Sequence, residues 1–367
     1  MATMMSENSV QVQKQTGNRK IYLDMVRIFA IFLVLFTHTG KSGPKLYTIC
    51  SDSLKQIFYL MLDCLRTINN PLLFMVSGAL LLGKNESVKT ILKKRVVRFV
   101  AVLLIFSVYQ SLYKKNVLNQ ITFQSVVQII KDLIQSPVKS SYWYLYSYIS
   151  FLVMLPFLRP IAQKLDLSQF VYLIICVVVV KDVFPLLKSE FELSKINFSI
   201  FLNGFNTFYP LLGYYLDRNW DEIRKKYSWS YLLIFGLAIA GISMAIGFTL
   251  LDHKRNMQWS ETYIGLFYTP VAMAVFLAFK NLCTFLENKK VNLRGKKAKV
   301  IGFISGTTFG VYLLEEQFMR VTKDVFTVAN RWLPTLLADW IWILAAMLLG
   351  SVVIGVAKKI PVIKQLL

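Results

Sequence analysis

Three ionisable side chains stand in the first apolar run of the chain, "LDMVRIFAIFLVLFTH": Asp24, Arg27 and His38. Each could do chemistry there. An imidazole titrates near neutral pH and can take a proton from a hydroxyl. A guanidinium can stabilise an oxyanion or pair with phosphate. On a helix turning 100° per residue, the eleven-residue step from Arg27 to His38 is three turns plus about 20°. Asp24 falls within about 60° of both, so the three share one stripe. The rise per residue sets Arg27 and His38 about 16 Å apart. They cannot touch, but they can line one groove at two depths. Ionisable groups inside a membrane face protein or a water-filled cavity and mark function. The plainer readings are an Asp24–Arg27 pair at i, i+3 near one interface and a solvated His38 at the other.

Other stretches carry weaker signals. "KKRVVRFV" sets Arg95 and Arg98 one turn apart at a helix entrance. They suit a phosphorylated ligand, or they simply snorkel and set topology. In "NNPLLFMVSGALLLG" the Ser77–Gly78 pair reads as small-residue helix packing. "YWYLYSYISFLVMLPFLRPI" reads as an aromatic belt. The other histidine, His253, sits in the polar stretch "LDHKRNMQ" and reads as solvated.

The elements that must position these groups are membrane helices. The chain has 367 residues, is 55% hydrophobic and has a mean hydropathy of +0.50. Its apolar runs are long enough to cross a hydrocarbon core about 30 Å thick. Only helices or closed barrels satisfy the backbone there, and these runs are too long and continuous for barrel strands. The expected fold is all-α and polytopic, with about ten spans near 21–40, 54–82, 95–113, 141–161, 168–187, 197–216, 230–251, 261–285, 301–319 and 335–356. Lys181 and Asp182 interrupt the fifth. With the N-terminus inside, inner segments hold 24 Lys and Arg against 15 outside, so both termini are expected in the cytoplasm.

That bias also accounts for the net charge of +22 through topology and anionic lipid, not nucleic acid. Cys50, Cys64, Cys176 and Cys283 are scattered and read as small apolar side chains. No metal-ligand spacing such as HExxH occurs. Residues 1–18 are expected to form a disordered polar tail, 19–358 one transmembrane domain, and 359–367 a short cytoplasmic tail. The outer loop 114–140 includes "ITFQSVVQIIKDLIQ", whose apolar spacing suits an amphipathic surface helix.

Taken in order, these motifs resemble acyltransferase family 3, integral membrane enzymes of about ten spans. The most specific part is Leu-Asp-x-x-Arg followed after ten residues by His, in "LDMVRIFAIFLVLFTH". "LFMVSG", the Arg95–Arg98 pair, "YWYLY" around Trp143, "YPLLGYY" with Pro210 and Gly213, and "GVYLL" follow in the family's order. Two departures stand out. The Pro that many members carry after the Arg pair is missing from "RFVAVLL", and Glu315, with Glu316 beside it, stands where many carry His.

The resemblance implies transfer of an acyl group, most simply acetyl, from acyl-CoA to a hydroxyl of a cell-envelope glycan or lipid-linked sugar in a bacterial plasma membrane. It implies His38 as base, Arg27 as stabiliser of developing negative charge, and Arg95 and Arg98 as holders of the CoA phosphates. Asp24, Trp143 and Glu315 are the expected substrate-binding residues, and acetyl-CoA is a co-substrate with no tightly bound cofactor. An orienting carboxylate for His38 is left unassigned, because Asp24 is too far away. A transporter or flippase of a glycan precursor explains the spans and buried charges equally well. A non-catalytic partner in polysaccharide synthesis is a third reading.

Overall fold

A computed structural model describes residues 19–114, 136–191, 204–289 and 295–367, with the isolated residues 124, 127, 131 and 202. The expected tail 1–18 and most of the expected surface helix lie outside the described residues. The described secondary structure is helical throughout. In order the helices are α1 (Ile21–Thr37), α2 (Ser53–Arg66), α3 (Asn69–Leu81), α4 (Val97–Lys114), α5 (Trp143–Lys164), α6 (Leu167–Val178), α7 (Phe184–Glu190), α8 (Phe208–Lys226), α9 (Ser230–Asn256) and α10 (Tyr268–Asn288). They continue as α11 (Lys296–Leu313), α12 (Glu315–Val321), α13 (Lys323–Ala329), α14 (Thr335–Ala357) and α15 (Pro361–Leu366).

Among the described residues, seven helical stretches are long and apolar enough to cross a membrane. They are Ser53–Leu81, Val88–Tyr113, Ser140–Lys164, Leu167–Glu190, Ser230–Asn256, Tyr268–Asn288 and Thr335–Ala357. The chain is therefore a multi-pass helical membrane protein. Of the other three expected spans, 21–40 and 301–319 fall on α1 and the α11–α12 pair, while 197–216 lies partly outside the described residues and otherwise on the first half of α8; these helices are shorter or more polar.

Helix α1 is the central post. It packs against α3, α10, α11 and α14, and most of its residues are buried. Between α3 and α8 the backbones themselves meet. A Cβ on Gly78 would lie 1.9 Å from the carbonyl oxygen of Pro210, and one on Gly213 would lie 2.1 Å from that of Met75. The two motifs "LFMVSG" and "YPLLGYY" are thus the two sides of one close helix crossing. Ser77 belongs to this packing, its hydroxyl donating to the carbonyl of Leu73 one turn back.

Lys181 and Asp182 do not break their span. They sit in a π-helical segment, Val179–Val183, that joins α6 to α7. The Lys181 ammonium lies over the rings of Phe205, Tyr209 and Tyr268 at 4.2, 5.1 and 5.5 Å. The buried Asp182 accepts from the backbone N–H of Phe267 at 3.0 Å. Both charges are thereby kept from lipid. His253 is likewise not in a solvated loop. It lies on the last turns of α9 with its ring stacked on Trp259, centroids 3.7 Å apart.

Candidate active site

Near its N-terminal end, α1 carries a closed polar cluster. Asp24 is 6% exposed and accepts from Arg19 at 2.5 and 3.1 Å and from the Ser305 hydroxyl at 2.6 Å. Arg27 donates to the same hydroxyl at 3.2 Å and lies 3.9 Å from Asp24. Ser305, on α11, therefore bridges the expected i, i+3 pair. The Asp24 carboxylate is spent on its own chain.

Arg27 also looks into a cavity of about 360 Å³, which Arg95 and Arg98 line with it. The three guanidiniums converge there from α1, α4 and the π-helical turn Leu92–Val96 before it. Arg95 makes a two-pronged pair with Glu86, at 2.6 and 3.0 Å. The buried Arg159 reaches the same carboxylate at 2.8 Å. With Arg95 first and Arg159 second, these bonds hold the Glu86 carboxyl down to about 2. Arg98 donates instead to the backbone oxygen of Leu366 at 3.2 Å. The end of the chain is thus not a free tail: α15 lies against α4, and Leu367 lines the cavity.

At the other end of α1, His38 closes the helix. Its Nε2 lies 3.3 Å from Oε1 of Glu315, which is 2% exposed. The ammonium of Lys139 approaches the same oxygen at 3.0 Å. Glu315 and Glu316 both line a cavity of about 460 Å³ with His38, Lys139 and Arg320. A smaller one of about 160 Å³ lies on the other side of His38, lined by Asn69, Trp143 and Tyr312 among others. Trp143 is 38% exposed there, its ring set edge-on to Phe205 with centroids 5.8 Å apart.

Among the described residues, Tyr312 is the one side chain common to the cationic cavity and the smaller His38 cavity. It is buried, donates to the carbonyl of Ser141 at 2.6 Å, and packs against Tyr144 and Phe309. Arg27 and His38 each line a cavity beside α1, and Tyr312 borders both the space lined by arginines and a space lined by the imidazole. Lys139 was not foreseen, because it lies in a polar loop with no motif around it. Its burial beside Glu315 is visible only in the folded chain.

The protein is a helical membrane protein with clustered guanidiniums at one end of a post and an imidazole–carboxylate pair at the other. A family profile described as an acyltransferase domain matches residues 20–357, and the chain belongs to acyltransferase family 3. No curated protein and no solved structure matches it.

Proposed function

We propose that this chain is an acyl-CoA-dependent O-acyltransferase of a bacterial plasma membrane. It would move an acyl group, most simply acetyl, to a hydroxyl of an envelope glycan or lipid-linked sugar. The observation that carries this reading is the His38–Glu315 pair at 3.3 Å, beside cavities on the far side of Tyr312 from three arginines. A hydroxyl is a poor nucleophile until a base takes its proton. The Glu315 carboxylate beside Nε2 favours a proton on that nitrogen, which leaves Nδ1 its lone pair for the hydroxyl proton. The hydroxyl oxygen then bonds to the thioester carbonyl carbon and the C–S bond breaks. The proton taken by His38 passes to the departing thiolate. Arg27 faces the donor space and suits the negative charge that develops on the carbonyl oxygen.

Arg98, free of any carboxylate partner among the described contacts, and Arg95 suit the CoA phosphates. Ten spans with both termini inside would set this cationic space toward cytoplasmic CoA and His38 toward the outside. Trp143 offers a flat face for a sugar ring. The closed contacts of Asp24 suit it to holding Arg27 in place and leave it no oxygen for substrate.

The test is the O-acetyl content of the host's envelope polysaccharide, together with thiol release by purified protein given acetyl-CoA. His38→Ala should lower transfer by about 10²–10⁴-fold, and Arg27→Ala should impair it as well. Equal acetylation by wild type and His38→Ala would sink the reading. Movement of a sugar precursor without acylation would favour a transporter instead.

A further inference from the structure

A second site lies away from the acyl-transfer cavities. Helices α6 and α9 face each other across a groove of about 670 Å³, lined by side chains such as Ile174 and Val178 on one wall and Leu237, Ala240 and Met244 on the other. The lining is almost wholly apolar. Both walls belong to the least buried spans of the protein, Leu167–Glu190 and Ser230–Asn256. From Ser230 to Met244 the groove follows α9 for fourteen residues, about 21 Å at the helical rise. One leaflet of a core about 30 Å thick is comparable, once helix tilt is allowed for.

One end of the groove lies beside a basic cluster. Tyr227, Trp229 and Ser230 line it where α8 turns into α9. Ser230 is more than nine-tenths buried, and its hydroxyl has no hydrogen-bond partner. It opens the 27-residue helix α9, whose first N–H groups lie at the same place. Arg224, Lys225 and Lys226, all exposed, end α8 just before it. Three carboxylates lie near this end: Asp166 is taken up in capping α6, Asp221 is engaged by Lys280 at 3.2 Å, and Glu222 stands against three cations. Apolar walls one leaflet deep, an unpartnered hydroxyl, a helix N-terminus and a basic cluster at one mouth together match a single kind of occupant.

We propose that this groove is a binding site for an anionic diacyl phospholipid. One acyl chain lies between α6 and α9, and the headgroup phosphate sits at Ser230 within reach of Lys225 and Lys226. The lipid fills the space between two walls that side chains do not close, and so joins the outer span of α6 and α7 to the body of the protein. The mouth lies at the end of the bundle where Lys20 pairs with Asp217 of α8, opposite His38. The site is therefore separate from acceptor binding and does not depend on acyl transfer.

The test uses full-length protein reconstituted in vesicles of dioleoyl phosphatidylcholine and dioleoyl phosphatidylglycerol, then extracted and examined by native mass spectrometry. Wild type should retain one phosphatidylglycerol in preference to phosphatidylcholine, and phosphatidylglycerol should raise its thermal midpoint. Ala240→Trp and Leu237→Trp, both at exposed positions that point into the groove, should abolish retention of either lipid while the protein stays monodisperse. Lys225→Gln and Lys226→Gln should each cost about fivefold in preference for phosphatidylglycerol, since a cation near an anionic surface contributes about 1 kcal/mol. Retention unchanged by both tryptophans would overturn the proposal, as would equal retention of the two lipids by wild type. A dimer that either tryptophan converts to monomer would also overturn it, by showing that a second copy covers the groove.

Discussion

Glu315 changes what His38 can be. Alone at the end of α1, an imidazole has no fixed tautomer or orientation. A buried carboxylate 3.3 Å from Nε2 favours a proton on that nitrogen. Glu315→Gln keeps the shape and removes the charge, so transfer should fall at least about tenfold, as when the carboxylate beside a catalytic imidazole is neutralised. The loss should lie in kcat, and KM for acyl-CoA should stay near wild type; a change in KM alone would assign Glu315 to binding instead. Glu86 makes a second prediction at this scale. Its carboxyl is held below its ordinary 4.5 by Arg95 and Arg159. A group depressed in the folded state stabilises fully above its unfolded pKa, and that stabilisation is lost as pH falls toward about 2. The thermal midpoint of wild type should therefore drop from pH 5 to pH 3 more steeply than that of Glu86→Gln, and equal slopes would count against the Glu86 clamp. The stripe of Asp24, Arg27 and His38 was legible in the spacing, because helical periodicity alone sets it. The Glu315 and Lys139 partners were not: they arrive from 277 and 101 positions away in the chain, and only packing brings them to His38.

At the scale of elements, the α3–α8 crossing is the least forgiving contact in the protein. Its cause is two glycines, each facing the backbone of the other helix. Gly78→Ala would push a methyl group into the Pro210 carbonyl, and overpacking of this kind costs about 1–3 kcal/mol. Its thermal midpoint in detergent should fall clearly. Ser77→Ala next to it should cost about 1 kcal/mol at most, because it removes a hydroxyl that bonds the Leu73 carbonyl and faces Tyr144 and Tyr148 in the cavity but pushes nothing into a neighbour. A midpoint for Gly78→Ala equal to wild type would mean that the helices can separate at no cost. Sequence reading assigned this region to packing by small residues but could not name the partner. A small-residue pair announces a close approach and says nothing about which helix comes close. Lys181 and Asp182 were misleading for a related reason. Two charges in an apolar run look like a break, yet three aromatic rings and one backbone N–H, all distant in sequence, let the helix run on through a π-helical turn.

For the whole molecule, the proposed function requires that an acyl group pass from the cavity of Arg27, Arg95 and Arg98 to the cavities beside His38. Among the described residues, Tyr312 alone borders the cationic cavity and the smaller His38 cavity. Its hydroxyl is tied to Ser141 at the start of the α5 region and its ring is held by Tyr144 and Phe309, so the side chain is anchored from both sides. Tyr312→Phe keeps the ring and loses one hydrogen bond, about 1 kcal/mol; transfer should be nearly unchanged. Tyr312→Ala removes the ring, at about 3–5 kcal/mol of stability as for other buried aromatics, and joins the two spaces. Water at the His38 side then reaches the thioester. Thiol release from acetyl-CoA without acceptor should rise for Tyr312→Ala, while acetylation of acceptor falls. The ratio of thiol released to acetyl transferred is the readout, because it is insensitive to the amount of folded protein. A ratio equal to wild type would show that the ring does not separate the two spaces.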